Sequence, residues 1–178
     1  MTKITFTGGA KLEKYLTDLA KKLENGSVLR AGFLEGAVYP DLPAEKTRAE
    51  YAEKKAKGDK TALGGKVGGT PVAFVAAVQE FGDPVAGIPP RPFFRTAIAQ
   101  HSGEWGEKLG ASLKGTGYDV ERALALVGKA IEGDIAASII ATNDPRLAAS
   151  TVAAKGFEKP LVDSGHLLQS INSEVRTE

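Results

Sequence analysis

The stretch VERALALVGKAIEGDIAASII, residues 120–140, decides how the rest of the chain is read. Val120, Leu124, Val127, Ile131, Ile135 and Ile139 recur at intervals of three and four, the spacing that gathers one apolar seam on an α-helix. A helix over 119–141 is therefore expected as the centre of the core, and the remaining elements can be placed around it. On its exterior the sequence predicts Glu132 and Asp134 as a solvated acidic pair rather than acid/base machinery.

Moving toward the N-terminus, Pro92 opens a second long helix with the stripe Phe94, Ile98, His101, Trp105 and Leu109. Gly103, Gly106 and Gly110 interrupt its polar side, each weakening a helix by about 1 kcal/mol relative to alanine, so either a break or the close approach of another backbone is expected there. Before it, Thr70 and Pro71 read as cap and first residue of a helix to Phe81, with Phe74, Val78 and Phe81 on the inward side. Residues 12–23 repeat an apolar stripe of Leu12, Tyr15, Leu16, Leu19 and Leu23 and end at Asn25-Gly26, which predicts a further helix.

Strand signals lie at the two ends. Residues 2–7 and 27–37 alternate with period two, the latter placing Leu29, Ala31 and Phe33 on one face, and Ile171–Thr177 alternates likewise. Between 38 and 69 the composition changes, first to a charged helical segment over 41–58 with alanines and Tyr51 for its apolar face, then to a glycine-rich connector over 59–69 around Lys66. We expect an inserted polar arm there. Taken together, the pattern predicts an α+β fold in one domain spanning 1–178, in which a small antiparallel sheet from N-terminal and C-terminal strands packs with four to five helices and the arm 38–69 projects.

Composition narrows the function. At 178 residues the chain can bury about 70% of the surface its unfolded form exposes. It has no cysteine, and 23 basic residues against 22 acidic ones give a net charge of +1, so no global field draws in nucleic acid or an anionic membrane. No apolar run approaches the ~20 residues of a membrane span, and no signal peptide is visible, which predicts a soluble protein made in the cytoplasm.

The reactive side chains are few. KPLVDSGHLLQS, residues 159–170, brings Asp163, Ser164 and His166 close in sequence, as a serine hydrolase would need them in space. Neighbours two apart on a helix face different ways, however, and no G-x-S-x-G elbow surrounds Ser164. A helix cap at Asp163 or Ser164 explains the stretch better, with Leu167, Leu168 and Ile171 anchoring the turn in the core and His166 facing solvent or a neighbour. His101 reads as a satisfied, partly buried histidine, and two histidines without cysteine cannot build the usual zinc sites. Gly64-Gly65-Lys66-Val67 fails as a phosphate loop, since Lys60 stands at the first glycine position and Val67 at the magnesium-binding hydroxyl. No enzyme, cofactor or metal site is expected.

A binding surface is the better candidate. VQEFGDPVAGIPPRPFFR, residues 78–95, holds two arginines, four prolines and three phenylalanines, a rigid amphipathic corner between two helices. Phe81, Phe93 and Phe94 are expected in the core, whereas Glu80, Pro89, Arg91 and Arg95 are expected at an interface, together with Tyr51, Lys66 and His166 elsewhere.

Two stretches also resemble a known family. AAVQEFGDP (76–84) with IPPRPFFRTAI (88–98) is similar to the A-x-I-H-E-F-G and I-P-x-R-P-F-L-R motifs of phage tail-component and tail-completion proteins. TVAAKGFEKPLVDSGHLLQSI (151–171) resembles their C-terminal signature K-G-x-x-K-P-L-I-D-T-G-x-L-x-x-S-I, seen also in virion-morphogenesis proteins of Mu-like phages. Gln79 stands where histidine is frequent, Val75 where an aromatic is common, and Ser164 where threonine is usual. The resemblance spans about residues 70–172 and implies a non-enzymatic structural protein of the neck or tail end of a virion, made in the host cytoplasm. It implies a ring, a hexamer or similar, between capsid connector and tail, touching connector or adaptor, tail terminator and tail tube. DNA would pass through such a ring without specific recognition. The competing expectation is a small adaptor or regulatory module acting through 78–95.

Overall fold

The computed structural model describes residues 9–24, 26–39, 69–162 and 165–177. The chain is α+β, with six helices and one two-stranded antiparallel sheet among the described residues. In order these are α1 (Gly9–Glu24), β1 (Ser27–Phe33), α2 (Val72–Phe81), α3 (Phe94–Gly115), α4 (Val120–Ala141), α5 (Ala149–Lys155), α6 (His166–Gln169) and β2 (Ile171–Thr177). The predicted strand 2–7 and most of the predicted arm, 40–68, lie outside the described residues.

Helix α4 is central, as its seam requires. Asp119 caps it by accepting the Arg122 N–H at 3.1 Å, and Val127, Ile135 and Ile139 are buried along it. The sheet lies across it. β1 and β2 pair in the register Ser27↔Thr177 to Phe33↔Ile171, which puts Leu29 opposite Val175, Ala31 opposite Ser173 and Phe33 opposite Ile171 on one face. Gly128 allows the contact, because a Cβ there would stand 2.5 Å from Ser173 Oγ and 3.0 Å from Leu29 Cδ1. Strand β1 stops at Phe33, short of the predicted Ala37, where Glu35 and Gly36 turn the chain and Gly36 adopts φ 91°.

The core gathers residues far apart in sequence: Tyr39, Val72, Ala76, Phe93, Ala97, Ile135, Ile139, Leu167 and Ile171. Phe93 is its hub, fully buried, with Phe33 edge-on at 6.1 Å and Ser138 Oγ–H donating to its carbonyl at 2.7 Å. The segment 40–68 leaves and re-enters this body at one closed stem. Tyr39 N–H donates to Thr70 O at 2.9 Å, Gly69 N–H to Tyr39 O at 3.0 Å and Val72 N–H to Ala37 O at 2.9 Å. Pro71, bridged to Val38, is extended at ψ 132° and serves as the cap residue, its carbonyl accepting the Phe74 and Val75 N–H groups, so α2 begins at Val72, one residue later than the predicted proline start.

Two predicted faces are corrected. On α2 the inward residues are Val72, Ala76 and Glu80, while Phe74 and Phe81 point outward, 62% and 65% exposed. On α1 two residues of the expected stripe, Tyr15 and Leu16, are 55% and 53% exposed. Helix α3 starts at Phe94 rather than Pro92 and runs unbroken through its glycines; a Cβ at Gly103, Gly106 or Gly110 would meet nothing within 4 Å, so neither expected reason for them exists within the described chain. Helix α5 ends at Gly156 in the left-handed conformation.

The crowding at Gly128 and the open space at Gly133 on the same helix predict opposite effects of one added methyl group. Gly128→Ala should destabilise by about 1–3 kcal/mol through overpacking, and Gly133→Ala should stabilise by about 0.5–1 kcal/mol through helix propensity. Urea titration reads both as shifts of midpoint at constant slope, and equal shifts would mean that β2 does not lie on α4 at Gly128.

Candidate functional site

The corner 78–95 is built from the end of α2, a tight turn and the start of α3. Gly82 permits the turn: its φ is 78°, and a Cβ would collide with Ile88 O at 2.8 Å and Pro90 N at 2.9 Å. Asp83 Oδ1 accepts the N–H groups of Val85 (2.9 Å) and Ala86 (3.1 Å), and Asp83 and Ile88 exchange backbone hydrogen bonds at 2.9 and 2.8 Å. Val85 at the tip is 90% exposed.

Glu80 is the pivot. Its Oε2 accepts the Phe94 N–H at 2.8 Å, and its Oε1 accepts the Arg95 N–H at 3.2 Å and the Arg95 Nε–H at 2.7 Å. The first amides of α3 have no partner within the helix, and Phe93 at the cap position supplies no side-chain bond, so the carboxylate from α2 serves as the cap. Negative charge is also favoured at that end of the helix dipole. Arg95 completes the arrangement, donating from Nη2 to the Glu80 carbonyl at 3.2 Å and lying 5.0 Å over the Phe81 ring.

Arg91 faces inward as well. It is buried, with Nε–H donating to Pro145 O at 2.9 Å, Nη2 to Arg146 O at 3.3 Å and Nη1 to Gln79 Oε1 at 3.3 Å. Desolvation lowers its pKa from the ordinary arginine value. The guanidinium thereby ties the corner to the loop after α4, in the planar, many-donor manner that lysine cannot copy.

The C-terminal block is tied down by its lysines. Lys155 Nζ donates to Lys159 O at 2.8 Å and Val162 O at 2.5 Å, while Lys159 Nζ donates to Thr142 O at 3.2 Å, Asn143 Oδ1 at 2.6 Å and Ile140 O. A cation thus closes the carbonyl end of α4. His166 Nε2 stands 3.0 Å from Val38 O and its ring 4.8 Å from Tyr39. Because a carbonyl only accepts, Nε2 carries the proton. His166 therefore braces the stem of the 40–68 segment.

The sequence-predicted residues divide accordingly. Glu80, Arg91 and Arg95 do meet at one corner, but Glu80 and Arg91 are buried structural groups, and only Arg95 and Pro89 reach the surface there. His166 is half-buried rather than outward, and Tyr51 and Lys66 lie outside the described residues, as do Asp163 and Ser164; Gly165, in the left-handed conformation, precedes α6. Phe93 and Phe94 pack inward as expected, whereas Phe81 does not. The acidic pair on α4 is not simply solvated: Glu132 accepts from Lys129 and Ser173, and Asp134 accepts the Trp105 Nε1–H at 2.8 Å, joining α3 to α4. His101 is half-buried, but its Nδ1 has no hydrogen-bond partner, with Glu104 too far at 3.9 Å.

What the sequence left unnoticed is the exposed ridge formed by Phe74, Ala77 and Phe81 on α2, continued by Arg95 and Ile98 on α3. Its signal was the alternative spacing Val72, Ala76, Glu80, equally helical and ending on a carboxylate two residues before a turn glycine. Among the described residues no group of three or more His, Asp or Glu side chains is placed to hold a metal, and no helix is long and apolar enough to cross a membrane. No protein-family model matches the chain, and neither does any curated protein or solved structure.

Glu80→Ala should cost about 2–3 kcal/mol by uncapping α3 and leaving its first amides unpaired in a buried setting, whereas Arg95→Ala should cost less than about 1 kcal/mol because its head is solvated. Denaturation of the two variants checks this. A Glu80→Ala change within about 0.5 kcal/mol of wild type would mark Glu80 as a plain surface residue.

Proposed function

We propose that the chain is a structural component of a phage neck or tail end, assembling as a ring of several copies between the capsid connector and the tail and doing no bond chemistry. One observation carries this reading. The two blocks that resemble the tail-component and tail-completion family meet in a single core around α4, with Ala76, Phe93 and Ala97 from the first and Leu167 and Ile171 from the second in one cluster with Ile135 and Ile139. Their polar residues are used in the same way: Glu80, Arg91 and Arg95 lock one corner, and Lys155 and Lys159 lock the other. Residues that serve one fold this closely support the resemblance as one of fold, not of two chance strings.

In this reading the partners are further copies of the chain and adjacent connector, terminator and tail-tube proteins, in the virion and, before that, in the host cytoplasm. The balanced charge suits a ring that lets DNA pass without gripping it. The second reading, an adaptor acting through the 78–95 corner, is favoured by the exposure of Phe81 and Val85 there.

Electron microscopy of the purified chain, alone and mixed with connector and tail-tube proteins, distinguishes the two. Closed rings with an axial opening, seated on either partner, are expected. Compact one-to-one complexes with no ring would favour the adaptor.

A further inference from the structure

Two apolar faces of this chain have no cover within the described residues. The first is the ridge Phe74, Ala77, Phe81 and Ile98, with Arg95 stacked on Phe81, followed in the chain by the exposed Val85 of the next turn. The second is the face of α1 that carries Tyr15 and Leu16. They belong to different elements, α2–α3 and α1, and no close packing joins α1 to either helix.

We propose that the α1 face of one copy seats on the α2–α3 ridge of a second copy, so that the chain associates head to tail through this contact. The inference rests on the ring reading and names the surfaces that make the ring. It is an asymmetric contact, the kind that continues from copy to copy until the rotation closes.

A second copy is the occupant for two reasons. One kind of contact, repeated between copies, covers both bare faces. The area fits a small interface: with Val85, the exposed parts of the six large side chains amount to about 600 Å² of apolar surface, which at the usual non-polar share corresponds to about 1,000 Å² in all, the lower bound for a specific contact. The shapes suit each other as well. Helix α1 has 16 residues, and the outward side of α3 beyond Arg95 presents Ala99, Gly103 and Gly106, all exposed, so no long side chain obstructs an incoming helix.

The test uses two full-length variants, Tyr15→Asp with Leu16→Asp on the donor helix and Phe74→Asp with Phe81→Asp on the ridge. All four positions are more than half exposed, so both variants are expected to fold, which circular dichroism and melting verify. Sedimentation velocity over a hundredfold concentration range is the readout. Wild type should form oligomers, each variant alone should remain monomeric, and an equal mixture should form one-to-one dimers and grow no further, because one intact donor meets one intact ridge. Variants that associate like wild type overturn this contact and leave the ring reading standing. A mixture that stays monomeric overturns the head-to-tail arrangement, and a wild-type chain that is monomeric throughout overturns both the contact and a ring of this chain alone.

Discussion

One buried carboxylate sets the arrangement of the surface. Glu80 must face α3 to cap the Phe94 and Arg95 amides, and α2 is therefore rotated so that Val72 and Ala76, on the same side, enter the core. The opposite side, with Phe74, Ala77 and Phe81, is then outward by helical geometry alone. Turning α2 the other way would bury the two phenylalanines but strip the first amides of α3 of the carboxylate that caps them. Arg91 imposes a similar constraint from the other side of the turn, since its buried head is held by backbone carbonyls at 145 and 146 and keeps the corner against the end of α4.

Much of the fold was legible because it rests on periodicity. The seam of α4, the pairing of an N-terminal strand with Ile171–Thr177, and the anchoring of Leu167 and Ile171 all follow from spacing that a sequence displays openly. The corner was legible in composition but not in direction. Glu80, Arg91 and Arg95 were singled out together and do meet, yet charge alone suggested the surface for groups whose partners are backbone amides and carbonyls, which carry no signature in the sequence. The face of α2 failed for a related reason: Phe74, Val78, Phe81 and Val72, Ala76, Glu80 are both helical sets, and hydrophobicity favours the wrong one. The role of His166 depended on the stem at Tyr39, more than a hundred residues away, which no local pattern reveals.

In the proposed reading, the resemblance to phage tail-completion proteins concerns the body of the fold and the exposed ridge concerns the contacts that body could make. The motif residues build the body, and the residues that the body turns outward supply the candidate contacts between copies. In this view the proposed contact surface is what the packing of the motif residues leaves exposed, Phe81, Arg95 and Ile98 among them, and it follows from Glu80 facing in.

Amide hydrogen exchange at Phe94 and Arg95 tests that orientation most directly. The first amides of a helix ordinarily exchange with water almost unhindered, since nothing in the helix holds them. Slow exchange at both positions, lost in Glu80→Ala while the amides of α4 stay protected, is the predicted result. Rapid exchange at Phe94 and Arg95 in the wild-type chain would contradict the inward Glu80 and, with it, the outward Phe74 and Phe81.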